Sequence, residues 1–367
     1  MMTNVQPVAR PLPSEKPVLP VRSRGGWLSP SLGLLLGLVM AWSVGVGSVT
    51  ITIPQVMTIL LKPFGLALAP VEPQQEAILM VIRLPRVLLG VLVGAVLGVS
   101  GAAMQGLFRN PLADPGLIGI SSGASLFAVL TIVFQVKLLP ALSGQWGLYL
   151  LSLAAFVGAV LTTTLVYLLS RREGRVQVTT LLLAGVAVNA LSGALTGLLI
   201  YLADEAQLRT ITFWGLGSLG GANWEVVQVV APFAALSLGL LPRLAKPLNA
   251  FALGESQATH LGINAGRLKR SVIVLATLGV GVSVAVAGAI GFVGLVIPHL
   301  VRLMAGADHR LVLPASALLG AIVLTGADLL ARTLVTPAEL PIGIITALIG
   351  TPVFLYMLIK KQPTVTT

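Results

Sequence analysis

The chain has 367 residues, of which 56% are hydrophobic and 10% are charged. Soluble globular domains carry about 25% charged residues, so this composition excludes an ordinary water-soluble protein and indicates a membrane-embedded one. The 40 glycines agree, because small residues let helices approach closely in lipid. The net charge of +11 does not predict a nucleic-acid partner, since the basic residues are scattered between apolar runs. The lack of cysteine excludes disulfides and thiolate metal sites.

The N-terminal segment is polar and proline-rich, and no apolar run begins before Ser31. A cleavable signal peptide would place its apolar core within these residues. We therefore expect residues 1–30 to form a disordered cytoplasmic tail. Residues 31–361 are predicted to form one transmembrane domain, followed by a cytoplasmic tail at 362–367.

Hydropathy predicts an all-α integral membrane protein with ten spans, each near the ~20 residues that cross a bilayer. The eighth is too short to cross by itself, which indicates a tilted or partly re-entrant helix. The predicted spans are residues 31–50, 82–107, 117–136, 147–169, 179–202, 224–242, 271–289, 291–304, 312–331 and 341–359.

The basic residues between these spans predict the orientation, because Lys and Arg are enriched in cytoplasmic segments. With a cytoplasmic N-terminus, 17 of the 23 Lys and Arg residues fall inside and 6 fall outside. Both termini are therefore predicted to be cytoplasmic. The six outside are Lys62, Arg83, Arg86, Lys137, Arg209 and Arg332.

Three connecting segments carry further signals. In the external segment 51–80, Pro54 is predicted to begin a short amphipathic helix that runs through Leu61. The aromatic and glycine residues of segment 203–223 favour a short helix and a turn at the membrane interface. The largest internal loop, 243–270, offers the best surface for a cytoplasmic partner.

Small residues recur every four positions in spans two, five and seven, which places them on one face of each helix. In span five they are Gly185, Asn189, Gly193 and Gly197. Such a stripe either permits close helix packing or forms a pore-facing wall for a wide ligand. Asn189, Gly193 and Gly197 are the candidate translocation path, and Asn189 is a polar group expected to face the bundle interior.

Few ionisable residues lie within the predicted spans. Asp328 and Arg332 are four residues apart, in the favourable order for a helical ion pair. Asp114 lies in a proline-rich turn and is expected to cap the following helix. The three histidines lack metal-ligand spacing, so no metal or bound cofactor is predicted. No lysine follows a glycine, so the phosphate-binding Gly-Lys-Ser/Thr motif of an ATPase is absent.

Three long motifs resemble one transporter family. Residues 83–125 read RLPRVLLGVLVGAVLGVSGAAMQGLFRNPLADPGLIGISSGAS and resemble the signature of permeases that import ferric siderophores, haem and vitamin B12. Residues 288–310, GAIGFVGLVIPHLVRLMAGADHR, and 326–355, GADLLARTLVTPAELPIGIITALIGTPVFL, resemble later motifs of these FecCD-like type II ABC importers. The resemblance covers nearly the whole chain except the N-terminal tail.

The resemblance implies a homodimeric permease with ten helices per subunit in the bacterial inner membrane, surrounded by membrane lipid. Its implied partners are two ATP-binding cassette ATPase subunits, which use ATP and magnesium, and a periplasmic substrate-binding protein. The chain itself would be no enzyme. The family's cytoplasmic loop before span seven couples to the ATPase, and the residues that match it here are Leu253, Gly254, Glu255, Ala258, Leu261 and Gly262.

The resemblance also implies that Arg83, Arg86 and Arg332 dock the periplasmic binding protein. Arg83 and Arg86 are three residues apart at the start of span two, so we expect both to point to one outer face. Guanidinium groups there would pair with carboxylates of the partner. The alternatives are pairing of Arg332 with Asp328 and, for the other two, snorkelling to lipid headgroups.

The sequences of residues 105–119 and 213–224 most resemble those of haem permeases, so haem is the predicted substrate. A ferric siderophore and cobalamin are the alternatives within the family. A proton- or sodium-coupled secondary transporter would need embedded carboxylates or unwound helices, and the scarcity of acids argues against it. No nucleophile–base constellation in the spans supports an intramembrane enzyme.

Overall fold

A computed structural model of the chain describes residues 26–360, except 48, 67, 139–146, 173–174 and 336–337. Residues 1–25 of the predicted N-terminal tail and the whole predicted C-terminal tail lie outside the described part. The described chain is helical apart from turns and one small antiparallel hairpin, in which β1 (Arg171–Arg172) pairs with β2 (Arg175–Val176).

The helices are numbered in chain order, and a π-helical turn at Ile78–Arg83 joins α3 to α4 in one continuous helix. Their bounds are α1 Leu28–Gly45, α2 Ile53–Leu61, α3 Pro73–Ala77, α4 Leu84–Phe108, α5 Ile120–Leu138, α6 Gly147–Leu169, α7 Val178–Tyr201, α8 Glu205–Leu216, α9 Trp224–Leu240, α10 Ala245–Ala252, α11 Glu255–His260, α12 Ala265–Ala287, α13 Val293–Ala305, α14 His309–Thr333 and α15 Ile342–Lys360.

The predicted all-α fold is confirmed, and each of the ten predicted spans overlaps a helix. Within the described residues, seven helices are long and apolar enough to cross a bilayer. The short eighth predicted span is α13, which has 13 residues. The number of crossings and the side on which the termini lie stay predictions.

Helices α1 and α12 begin several residues before the predicted spans. Helix α1 begins at Leu28, so the last residues of the predicted tail are helical. Helix α12 begins at Ala265, inside the predicted loop 243–270, because the Asn264 side chain accepts a hydrogen bond from the backbone N–H of Arg267 at 2.9 Å. An asparagine at this position satisfies an otherwise unpaired donor of the first turn, and the helix therefore begins among charged residues.

Both short helices predicted in the external segments are present. Helix α2 begins at Ile53, where the backbone N–H of Thr52 donates to Gln55 Oε1 at 2.9 Å in a capping box. Helix α8 begins at Glu205, where the Asp204 carboxylate accepts from the backbone N–H of Gln207 at 2.8 Å. In both, a side chain pairs with backbone groups that a helix start leaves free.

Helix α4 runs through the centre of the molecule and packs against α9, α12, α13 and α14. Its glycines make this possible. A Cβ on Gly94 would overlap the carbonyl of Gly320, and a Cβ on Gly98 would overlap the carbonyl of Ser316, both in α14. The small-residue stripe of span two is therefore a packing surface, where helix backbones touch.

Candidate functional site

The predicted ATPase-coupling residues form one short helix with a turn at each end. Gly254 and Gly262 bracket α11 and have φ angles of 122° and 82°, a region that glycine enters without steric penalty. Ala258 is buried on the inner face of α11, whereas Leu253 and Leu261 are largely exposed at its two ends. The matched loop residues thus form a short helix between two glycine turns, and its role stays a prediction.

A buried lysine holds α11 against the membrane domain. Lys269 of α12 is 2% exposed. Its Nζ donates to Glu255 Oε1 at 2.6 Å and to the backbone carbonyl of Val176 at 2.7 Å. The same Nζ lies 5.8 Å from the centre of the Phe251 ring, within range of a cation–π interaction. One ammonium group thus joins α10, α11, α12 and the β-hairpin.

Nothing in the sequence pattern distinguishes Lys269 from the other basic residues that are assigned to the cytoplasmic side. Its carboxylate partner is 14 residues away and in a different helix, so no helical spacing reports the pair. The available signal is its neighbourhood, since Leu268, Val272 and Ile273 are apolar and buried. A lysine within such a face must find partners, because an unpaired buried charge is strongly unfavourable.

A second contact ties α10 to the start of α14. Asp308 caps α14 by accepting from the backbone N–H of Arg310 at 2.9 Å, and it also accepts from Asn249 Nδ2 of α10 at 2.6 Å. These two hydrogen bonds hold the pKa of the Asp308 carboxyl below its usual range. His309 Nδ1 lies 2.7 Å from Asn249 Oδ1. The α10–α11 segment is therefore anchored to both α12 and α14.

The three candidate docking arginines lie together at the opposite end of the helices. Arg86 of α4 is 9% exposed. Its guanidinium donates to Asp328 Oδ1 of α14 at 2.9 Å and to Glu339 Oε1, before α15, at 2.9 Å. Further bonds to the second oxygen of each carboxylate, at 3.1 and 3.0 Å, complete two bidentate pairs.

Arg83 and Arg332 bind the carbonyl end of α1. Arg83, which is 4% exposed, donates to the carbonyls of Val44 at 2.8 Å and Gly45 at 3.0 Å, and to that of Val49. Arg332 donates to the Val46 carbonyl at 3.1 Å and to both oxygens of Ser43. Cations stabilise helix C-termini in this way, because the last carbonyls lack helical partners.

The prediction that Arg83 and Arg86 point to one outer face is wrong. Both side chains are buried, because the end of α1 and two carboxylates of the same chain offer them hydrogen bonds. The predicted Arg332–Asp328 pair is present at 3.6 Å, but Asp328 is closer to Arg86. Sequence patterns do not identify Glu339 as a partner of Arg86. The only available signal is that Glu339 is an acidic residue in a predicted external segment.

The candidate translocation residues divide into two groups. Asn189 Nδ2 donates to the Gly116 carbonyl at 3.2 Å, and Asn189 Oδ1 accepts from Ser122 Oγ at 2.5 Å, so this residue joins α7 to the start of α5. A Cβ on Gly193 or Gly197 would meet no atom within 4 Å. The stripe thus packs at Asn189 and presents an open surface at the two glycines.

The chain belongs to the FecCD transport family, whose model matches residues 34–360. It is 49% identical over 283 residues to the hemin transport system permease protein HmuU of Yersinia pestis, covering 77% of this chain and 83% of that one. It is 42% identical over 287 residues to the cobalamin import system permease protein BtuC of Halobacterium salinarum, covering 78% and 74%.

A solved structure of a metal-chelate type ABC transporter in an inward-facing conformation superimposes with a TM-score of 0.78 at 35% identity. The match covers 91% of this chain and 99% of that one. The family resemblance found in the motifs is confirmed. The protein is a multi-pass protein of the bacterial inner membrane and an ABC transporter permease.

We expect Arg86→Met to lower the stability of the purified protein by about 3–5 kcal/mol, because it leaves the buried Asp328 carboxylate without its main partner. Lys62→Met is the control, since it removes an exposed Lys62–Glu76 ion pair of similar length, 2.6 Å, worth about 0–1 kcal/mol. Thermal unfolding in detergent measures both. Equal, small shifts of the midpoint would contradict a structural role for Arg86.

Lys269→Met should loosen α11, because hydrogen bonds to a charged group contribute about 1.5–3 kcal/mol. The measurement is amide hydrogen exchange across residues 254–262, which should accelerate roughly 10- to 100-fold. Lys269→Arg should retain most of the protection, and Lys246→Met, which removes an exposed lysine of α10, should leave it unchanged. Unaltered exchange in Lys269→Met would show that α11 is held by other contacts.

Proposed function

We propose that this chain is the transmembrane subunit of an ATP-driven ABC importer that moves an iron chelate, haem first, from periplasm to cytoplasm. The observation that carries the proposal is the family match over residues 34–360. The substrate named for one relative is hemin at 49% identity and for another cobalamin at 42%, which supports haem. A ferric siderophore or cobalamin is the alternative within the same family.

The proposed assembly is a homodimer with two ATPase subunits and a periplasmic binding protein, and each permease subunit crosses the membrane ten times with both termini inside. Ten helices overlap the predicted spans, and the asymmetry of basic residues supports the orientation. ATP hydrolysis, with its magnesium, is assigned to the partner because this sequence has no Gly-Lys-Ser/Thr motif.

The coupling role of α11 is supported by its shape. Leu253 and Leu261 are exposed apolar side chains at a polar end of the molecule, and such exposure is typical of a surface that a partner covers. Lys269 holds α11 to α12, and Asn249 holds the adjoining α10 to the start of α14. A movement of the α10–α11 segment would therefore be passed to two membrane helices. We assign the contact with the ATPase to this segment.

The open face of α7 is proposed to line the pathway between two copies of the subunit. Gly193 and Gly197 add no bulk there, since a Cβ on either would meet no atom within 4 Å. An apolar face of this kind in a membrane protein meets lipid or another subunit. A pathway wall without large side chains would suit a wide planar ligand such as haem.

We propose that Arg83, Arg86 and Arg332 support docking of the binding protein indirectly. Their guanidinium groups are engaged within the chain, so they shape the docking surface by holding α1, α4 and α14 together. The Glu339 side chain, which binds Arg86, remains 48% exposed. Direct pairing with a partner's carboxylates would require these internal contacts to open.

Proteoliposomes containing the full complex test the proposal, with Mg-ATP in the lumen and haem-loaded binding protein outside. Haem should enter with ATP and should not enter when ATP is omitted under an imposed proton gradient. Uptake driven by that gradient alone would refute the ABC mechanism. Uptake of a ferric siderophore or cobalamin, with none of haem, would refute the substrate.

In the same vesicles, Gly262→Val should lower binding-protein-stimulated ATP hydrolysis and transport together. Valine is strongly disfavoured at a φ of 82°, so the turn after α11 would be distorted. Gly239→Val is the matched control, because that glycine has no neighbouring atom within 4 Å of an added Cβ and no positive φ. Wild-type hydrolysis in Gly262→Val would remove the coupling assignment from α11.

A further inference from the structure

Two neighbouring cavities lie where α6 ends and α12 begins. The first, of about 860 Å³, is an open cavity lined by α11, the β-hairpin and the first turns of α12. The second is an apolar groove between α6 and α12. Tyr167 and Arg270 line both cavities, so the polar space continues into the apolar one along the same helix pair.

The first cavity carries an excess of positive charge. Among its charged groups, Glu255 and Lys269 neutralise each other at 2.6 Å. Arg175, Arg267 and Arg270 are exposed and form no ion pair with a carboxylate of the described residues. Its remaining titratable side chains are Tyr167 and His260. Three guanidinium groups around one cavity favour an anionic ligand, and guanidinium groups match phosphate geometry well.

The groove contains a polar group with no partner. Thr163 is 3% exposed, and its Oγ1 has no hydrogen-bond partner among the described residues. The other buried threonine of the groove, Thr277, donates to the Ile273 carbonyl at 2.7 Å. A buried hydroxyl without a partner is unfavourable by about 1–3 kcal/mol. Thr163 therefore points to a ligand that brings an acceptor into an otherwise apolar groove.

Both helices that form the groove are candidate membrane spans, so the first cavity lies at the level where a span meets water. Tyr167, at the junction, is a residue type enriched at that level. A ligand that fits must therefore combine an anionic head, an acceptor just below it and an apolar tail. These are the phosphate, the ester carbonyl and the acyl chain of an acidic glycerophospholipid.

We propose that the two cavities form one binding site for an acidic phospholipid of the cytoplasmic leaflet. The phosphate lies among Arg175, Arg267 and Arg270, an ester carbonyl accepts from Thr163, and one acyl chain fills the groove. Basic pockets between membrane helices on the cytoplasmic side recognise lipid headgroups in this way. Because Ser256 and Thr259 of α11 line the same cavity, the lipid touches the segment that is proposed to couple to the ATPase.

Native mass spectrometry of the full-length chain in detergent, titrated with phosphatidylglycerol or phosphatidylcholine, tests the site without any transport assay. The wild type should retain phosphatidylglycerol more tightly. Arg175→Gln with Arg270→Gln should weaken that binding about 30-fold, at about fivefold per basic residue. Arg243→Gln with Arg310→Gln, which removes two exposed arginines outside the cavity, should leave it unchanged.

Two further variants test the groove with the charges intact. Val274→Trp places a large ring where the acyl chain should lie and should abolish tight binding of phosphatidylglycerol. Thr163→Val should weaken binding of both lipids, since both carry ester carbonyls. Thr277→Val is its control, because the Thr277 hydroxyl already has an acceptor in its own helix, and it should bind as the wild type does.

Equal phosphatidylglycerol affinity in the wild type and the double arginine variant would overturn the proposal. So would binding of glycerol 3-phosphate as tight as that of the lipid, which would identify a soluble phosphate ligand. A third contrary result is weaker ATPase association in the double variant with lipid binding unchanged, which would make the cavity part of a protein interface. Failure of haem transport would leave the lipid result intact, because the titration uses the permease alone.

Discussion

The backbones of α4 and α14 touch where Gly94 and Gly320 face each other, and a Cβ on either would overlap the other's carbonyl. In lipid the hydrophobic effect does not drive helices together, so close packing and polar contacts must hold a bundle. The contact between these two helices brings Arg86 of α4 beside Asp328 of α14. It also places the start of α14 beside α10, where Asp308 and Asn249 meet. Both ends of the molecule thus depend on one close approach of two backbones.

At each end of the bundle, buried cations hold the segments that connect the membrane helices in place. At the predicted periplasmic end, Arg86 joins α4 to α14 and to the segment before α15, while Arg83 and Arg332 bind the carbonyl end of α1. At the other end, Lys269 joins α11 to α12. A buried charge that loses its partner is strongly unfavourable, so these contacts specify a single arrangement of the connections. For a subunit that is proposed to pass movement from α11 to the membrane helices, a defined resting geometry is necessary.

Much of the helical framework could be predicted from the sequence, because apolar runs of about 20 residues mark membrane helices. The glycines Gly254 and Gly262 likewise mark the turns around α11. The partners of Arg83 and Arg86 could not be predicted. Glu339 lies 253 residues from Arg86 in the chain, and the carbonyls that bind Arg83 belong to a separate helix. The count of Lys and Arg residues assigns such residues to one side of the membrane, but it does not identify their hydrogen-bond partners. Hydropathy also places the start of α12 too late, because the Asn264 cap begins the helix before its charged residues end.

The bundle depends on a division of its glycines into those that let helix backbones touch and those that leave an open face. Thermal unfolding of Gly94→Val and Gly193→Val in purified protein tests it most directly, because each adds the same side chain to a glycine within a predicted span. Overpacking a close contact destabilises by about 1–3 kcal/mol or more. Gly94→Val should therefore unfold at a clearly lower temperature than the wild type, and Gly193→Val at nearly the same temperature. Equal midpoints for the two variants, or a larger loss at Gly193, would contradict the account.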